Sequence, residues 1–157
     1  SAGMLDVGRE KIAARGWNDR IELIQGDSVA LPFDNNTFDG YTVAFGVRNF
    51  EDLQGGLRDM CRVLKPGAMG LVLEFSKPKH FPIKQVFGLY FKHIMPTVGK
   101  WVSKDPSAYT YLPESVQAFP EGEGFLEEMR KAGYVDVRAR SLTGGIATIY
   151  TGRKPQP

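Results

Sequence analysis

Cysteine and histidine are scarce in this chain: one of the first and two of the second in 157 residues. A single thiol cannot close an intrachain disulfide, so a disulfide scaffold is excluded and a reducing, cytoplasmic setting is expected. Cys61 falls among apolar neighbours at a helical position. His80 and His93 have no spacing, with each other or with Asp105, that suits a metal ion, so no metal site is expected. An excess of one charge is also lacking. Twenty Lys and Arg stand against 18 Asp and Glu, with the signs interspersed, which argues against a nucleic-acid surface. No apolar run is long enough to span a bilayer, no signal peptide is visible, and repeats and low-complexity tracts are absent. What remains is a chain of ordinary hydrophobic content, 42%, whose length suits one domain with a real core.

Strand and helix patterns alternate, which predicts an α/β fold with parallel strands. Residues 3–15 read as an amphipathic helix stopped near Gly16, and residues 20–25 as a short strand. Asp34-Asn35-Asn36 is a turn signal. Residues 38–45 are apolar enough to predict a strand covered on both faces. A helix is expected over 51–64, ended by Pro66-Gly67, and then a strand over 68–75. Residues 121–132 suit another helix, with Gly133 as its C-cap. Residues 135–142 and 146–153 read as strands joined at Thr143-Gly144-Gly145, an antiparallel hairpin. This order belongs to the later part of a nucleotide-binding α/β domain, and its first strand–helix–strand unit is expected to lie outside the chain.

The middle of the chain carries a broad apolar stripe over 81–101, with Pro82 in its first turn and Asp105 as the N-cap of a second helix. Core packing is the ordinary reading of such a stripe. A helical lid over a greasy substrate, spanning about 79–118, is the other. Lys84, Lys92 and Lys100 interleave with its aromatics, a pattern compatible with contact at an anionic membrane surface.

Ligands of open α/β sheets bind beyond the carboxyl ends of the strands. Three such ends are expected here: Gly26-Asp27-Ser28, Ala44 through Asn49, and Glu74 through Lys77. They converge on one edge, which predicts a shared site. Asp27 could accept from an exocyclic amine and the Ser28 amide could meet a ring nitrogen. Arg48 could hold an oxyanion through its planar fork. Each has a plainer alternative. Asp27 is an ordinary turn former, and Asn49, Glu51 or Asp52 could cap the next helix. Arg48 could pair with Glu51 or Asp52, and Glu74 with Lys77.

Two runs, Leu31-Pro32-Phe33-Asp34-Asn35-Asn36-Thr37-Phe38-Asp39 and Arg62-Val63-Leu64-Lys65-Pro66-Gly67, resemble class I S-adenosylmethionine-dependent methyltransferases. Four others are narrower: Ala44-Phe45-Gly46-Val47-Arg48-Asn49, Leu73-Glu74-Phe75-Ser76-Lys77-Pro78, the stretch from Ser107 to Ser115, and Leu142-Thr143-Gly144-Gly145. Together they resemble the quinone C-methyltransferases of ubiquinone and menaquinone biosynthesis, along nearly the whole chain. The resemblance implies a Rossmann-like methyltransferase fold with a C-terminal antiparallel hairpin. It implies methyl transfer from S-adenosylmethionine to a ring carbon of a prenylated quinol, demethylmenaquinol or a ubiquinone-precursor benzoquinol.

By the same resemblance, Asp27 and Ser28 fall beside the adenine, and Ala44 stands where many members carry a serine near the cofactor. Arg48 and Asn49 fall near the reacting quinol, with Glu74, or a water held by Arg48 and Asn49, as the base. The family's glycine-rich loop and its ribose-binding acidic residue are not in the chain. The chain alone is therefore expected to bind S-adenosylmethionine weakly and to self-associate through unpaired strand edges, with residues 1–27 displaced from their family position. A non-catalytic interaction module is the competing expectation.

Overall fold

The computed structural model describes residues 2–78, 81–89 and 115–157. Helix α1 (Ala2–Ala14) leads to strand β1 (Phe38–Ala44), helix α2 (Leu53–Val63), strand β2 (Leu64–Phe75) and helix α3 (Ile83–Leu89). Helix α4 (Glu123–Lys131) and strands β3 (Val135–Leu142) and β4 (Ala147–Arg153) complete the order. The four strands form one sheet in the order β1-β2-β4-β3. β1 and β2 are parallel; β4 runs antiparallel to both β2 and β3. The expected hairpin is present, turning through Thr143-Gly144-Gly145.

Local chemistry sets the helix ends. Gly16 takes φ 66° and its amide donates to the carbonyl of Ala13, stopping α1. Asp52 caps α2 by accepting from the Gly55 amide at 2.8 Å, which settles the choice among Asn49, Glu51 and Asp52. Gly133, at φ 97°, donates to Arg130 O while Tyr134 donates to Met129 O, closing α4.

One face of the sheet is buried, and cross-strand register shows how. Tyr41, Gly70 and Gly152 lie in one row, Val43, Val72 and Tyr150 in the next, and Glu74 and Thr148 in the third. Leu57, Met60 and Cys61 of α2 and Phe125, Leu126 and Met129 of α4 complete the core with Val72, Tyr134 and Tyr150. The Phe125 ring meets Tyr150 edge-on at 4.7 Å.

Four expectations are corrected. Residues 20–25 form no strand, because no neighbouring strand takes up their backbone groups among the described residues; Ile21 and Ile24 stay more than 40% exposed. β1 is not covered on both faces: none of its residues is buried, and among the described residues it pairs with β2 alone. Pro66-Gly67 does not end α2. The helix stops at Val63, and β2 begins at Leu64 and runs through residues 65–67, where its register with β1 slips. The stripe expected as core is exposed in its described part: Phe81, Val86 and Leu89 are each at least 60% exposed and α3 buries no residue. The rest of that stripe, the cap at Asp105 and both histidines lie outside the described residues.

Candidate functional site

Because β1 and β2 are parallel, their carboxyl ends open on one edge. Immediately past β1, Phe45 takes φ 56°, a left-handed conformation that costs a non-glycine residue about 1–2 kcal/mol. Its ring stacks against Phe75 at 4.5 Å, and its carbonyl accepts from Arg48 Nη1. A single helical turn, Val47–Asn49, then sets Arg48 against the end of β2.

Glu74 lies there with no solvent exposure. Its Oε1 accepts from the Arg48 amide at 3.3 Å. Its Oε2 accepts from Arg48 Nη1 at 3.0 Å and from the Phe75 amide at 3.2 Å. The guanidinium carbon sits 5.4 Å from the centre of the Phe75 ring. Arg48 Nε is buried and takes no partner among the described residues. The structure thus brings Arg48 and Glu74 together and rejects the plainer pairings. Asp52 is occupied as a cap, while Lys77 donates through its ammonium to Gln117 O at 3.1 Å and through its amide to Glu121 at 2.7 Å.

Arg48 borders a cleft of about 410 Å³, shared with Val47, Phe50, Leu53, Ser115, Ala118, Phe119 and Pro120. Among the described residues, one cation in a mostly apolar lining suits an apolar ligand carrying an oxygen. Asn49 is exposed beside it, its amide donating to Gly46 O at 3.0 Å. Ala44, exposed at the end of β1, offers no side-chain donor.

Asp27 and Ser28 are not at a strand end. Asp27 Oδ1 accepts from the Val29 amide at 3.1 Å, an Asx turn, and Asp27 shares no hydrogen bond with Arg48 or Glu74 among the described residues. Val29 packs over Gly55 in the first turn of α2. Asp27 stays exposed, and its second oxygen takes no hydrogen bond among the described residues, so an exocyclic amine could still be received there.

A second cleft, of about 580 Å³, opens between Ser76, Ile83, Glu121 and the Gly144-Gly145 turn. Beneath it the buried Thr148 hydroxyl donates to Ser76 Oγ at 2.9 Å, and Ser76 donates to Gly145 O at 2.8 Å. Tyr150 accepts from the Gly122 amide at 2.8 Å, and burial pushes its phenol up. Ser76 belongs to the expected strand end at Glu74 through Lys77, but sequence reading passed over Thr148 and Tyr150. The signal was the two-residue period that puts Thr148 and Tyr150 on the buried face of β4.

Comparison with known proteins places this geometry. The model of the ubiE/COQ5 methyltransferase family matches residues 1–154. A demethylmenaquinone methyltransferase of Bacteroides fragilis is 48% identical over 154 residues, covering 98% of this chain and 63% of that protein. The ubiquinone/menaquinone biosynthesis C-methyltransferase UbiE of Idiomarina loihiensis is 44% identical over 151 residues, covering 96% of this chain and 60% of that protein. The chain thus spans about three fifths of the length of these relatives. Among solved structures, a SAM-dependent methyltransferase from Aquifex aeolicus superposes with TM-score 0.63 at 18% identity, covering 95% of this chain and 62% of that one. The fold is that of class I methyltransferases, α/β with a Rossmann-like sheet, and the chain belongs to the ubiE/COQ5 methyltransferase family.

Proposed function

We propose that this chain carries the substrate-facing part of an S-adenosylmethionine-dependent C-methyltransferase that converts demethylmenaquinol to menaquinol. The observation that carries the reading is Arg48: a nearly buried cation, fixed at the parallel strand ends, beside an apolar cleft. The name of the Bacteroides fragilis relative supports the naphthoquinol over the benzoquinol.

A ring carbon is a weak nucleophile until the adjacent hydroxyl loses its proton. The phenolate then feeds electron density to that carbon. S-adenosylmethionine, when bound, supplies an electrophilic methyl. Arg48 stabilises the negative charge on the ring oxygen in a site where water is displaced, so its effect falls on the transition state. A water held by Arg48 and Asn49 relays the hydroxyl proton to bulk solvent. Asp27 and the Ser28 amide hold the adenine edge, and Ala44 allows close approach without a hydrogen bond. The exposed Phe81, Val86 and Leu89, flanked by Lys84, are assigned to the isoprenoid tail at a membrane surface on the cytoplasmic side.

The test is methyl transfer by a protein carrying this chain at the full length of its relatives, with naphthoquinol and benzoquinol substrates. Arg48→Ala is expected to lower turnover by about 100-fold or more while leaving cofactor affinity within about threefold. An unchanged methyl-transfer rate constant removes Arg48 from this role, and preference for the benzoquinol moves the reading to the ubiquinone precursor.

A further inference from the structure

The sequence leaves Glu74 or a water held by Arg48 and Asn49 as the base, and the geometry around Glu74 suits a different role. We propose that Glu74 is a positioning residue: it clamps the Arg48 guanidinium through Nη1 so that the donors it leaves uncommitted are turned to the substrate oxygen, and it moves no proton. This rests on the quinol-methyltransferase reading above.

The hydrogen-bond inventory shows which donors Glu74 and its neighbours hold, and it leaves the two on Nη2 uncommitted among the described residues. A guanidinium carries five N–H donors in a fixed plane. Nη1 has two, and both are committed: one to Phe45 O and one to Glu74 Oε2. Phe75 covers the guanidinium on one face. Nε is buried, and no described group accepts from it. A desolvated donor without a partner is costly to keep, so the Arg48 head needs the hold that Glu74 and Phe45 supply. The cleft bordered by Arg48 is where a substrate oxygen would meet the donors of Nη2.

Glu74 is placed for holding rather than for proton transfer. It is fully buried, and its two oxygens already accept from Arg48 N, Arg48 Nη1 and Phe75 N. A base must lie within hydrogen-bond reach of the proton it takes. Glu74 instead faces its cross-strand neighbour Thr148, on the row that points into the core. Two of its three bonds go to a single residue, one to backbone and one to side chain, which fixes both the turn at Arg48 and the plane of its head.

The test uses side-chain NMR of this chain labelled with 15N arginine, the Arg48 Nε–H signal being assigned by its loss in Arg48→Lys. In the wild type this proton is expected to exchange with water at least about ten-fold more slowly than those of the exposed Arg9 and Arg153. Adding 2,3-dimethyl-1,4-naphthoquinone, which has carbonyl acceptors and no site for thiol addition, is expected to shift it. Glu74→Gln removes both the slow exchange and the shift, and Glu74→Asp, which keeps the charge one methylene further back, restores part of each. Should Glu74→Gln fail to fold, Glu74→Asp compared with wild type carries the same contrast. Equal protection of Arg48 Nε–H in wild type and in Glu74→Gln overturns the proposal. Glu74-dependent protection with no response to the quinone leaves Glu74's hold on Arg48 standing and overturns the quinol reading instead.

Discussion

The hydroxyls of Tyr41 and Tyr134 meet 2.8 Å apart over the paired glycines Gly70 and Gly152. Tyr134 donates onward to Leu57 O at 3.2 Å, so Tyr41 is the donor to Tyr134. The chain of bonds ties β1, through the residue just before β3, to the middle of α2. The two positions should therefore differ. Tyr134→Phe strands the buried Tyr41 hydroxyl and takes the second hydrogen bond from the Leu57 carbonyl, which keeps its helical one, an expected loss of about 1–3 kcal/mol. Tyr41→Phe removes one donor and leaves Tyr134 bonded to Leu57, an expected loss of about 0.5–1.5 kcal/mol. Urea denaturation of the two variants gives the comparison, and a larger loss in Tyr41→Phe would contradict the assigned direction of donation.

Alkaline pH should expose the same pair. Burial is the main cause pushing both phenols above the ordinary value of 10.0. In the unfolded chain they ionise near pH 10, while in the folded chain they stay protonated. Their contribution to stability is therefore fully present below about pH 10 and lost as pH rises above it. Tyr134→Phe deletes one such group. The stability gap between wild type and Tyr134→Phe should narrow between pH 9 and about 11. A gap that is constant or widens over that range would rule out the buried phenol as its source.

Acid should act through Asp59. Its carboxylate accepts from Arg62 Nε at 2.7 Å and from the Leu31 amide at 2.7 Å, while Arg62 also donates to the carbonyls of Leu31 and Phe33 and to Asn35. The Arg62 hydrogen bond is the largest cause holding the Asp59 pKa below its ordinary value. This stabilisation is present above the unfolded pKa of about 4 and is lost as pH falls through the lower folded value. Asp59→Ala is expected to cost about 1–3 kcal/mol at neutral pH, with the gap to wild type closing by about pH 2. Urea midpoints across that range are the check, and a gap independent of pH would refute the ionic account.

That clamp also shows where sequence reading succeeded and where it fell short. Leu31-Pro32-Phe33 and Arg62-Val63-Leu64 were legible as two family motifs, but not as one structure. Nothing in the spacing of residues 31 and 62 says that an arginine on α2 ties down the loop before β1. Helices α2 and α4 and the C-terminal hairpin were legible because each carries its own periodicity and its own stop residue, such as Gly133. Residues 20–25 had strand composition but formed no strand, since pairing is supplied by a neighbour and not by the segment itself. At the site, the residue types at 48 and 74 suggested charge chemistry. Their pairing required the register of β1 against β2 and the turn at Phe45, which only the fold provides. Asp27 carries its plain role, a turn former, through one carboxylate oxygen, which leaves the proposed role to the other.

The sheet edge yields the last prediction. β1 is bonded to β2 on one side, and no strand pairs with its outer side among the described residues. Phe45 N–H donates toward Leu73 on β2, so by two-residue alternation the N–H groups of Val43 and Tyr41 point inward and those of Ala44 and Thr42 point outward. Near the chain's start, Met4, Trp17, Ile21 and Ile24 are apolar and exposed, with Met4 at 78%. An open strand edge and exposed apolar side chains both favour association. The chain is expected to self-associate with rising concentration in light scattering. Thr42→Pro removes an outward N–H without touching the β1–β2 ladder, and it should shift the association several-fold toward monomer if strand pairing is the route. Association unchanged by Thr42→Pro assigns it to the apolar surface instead. A chain that remains monomeric at high concentration would defeat both.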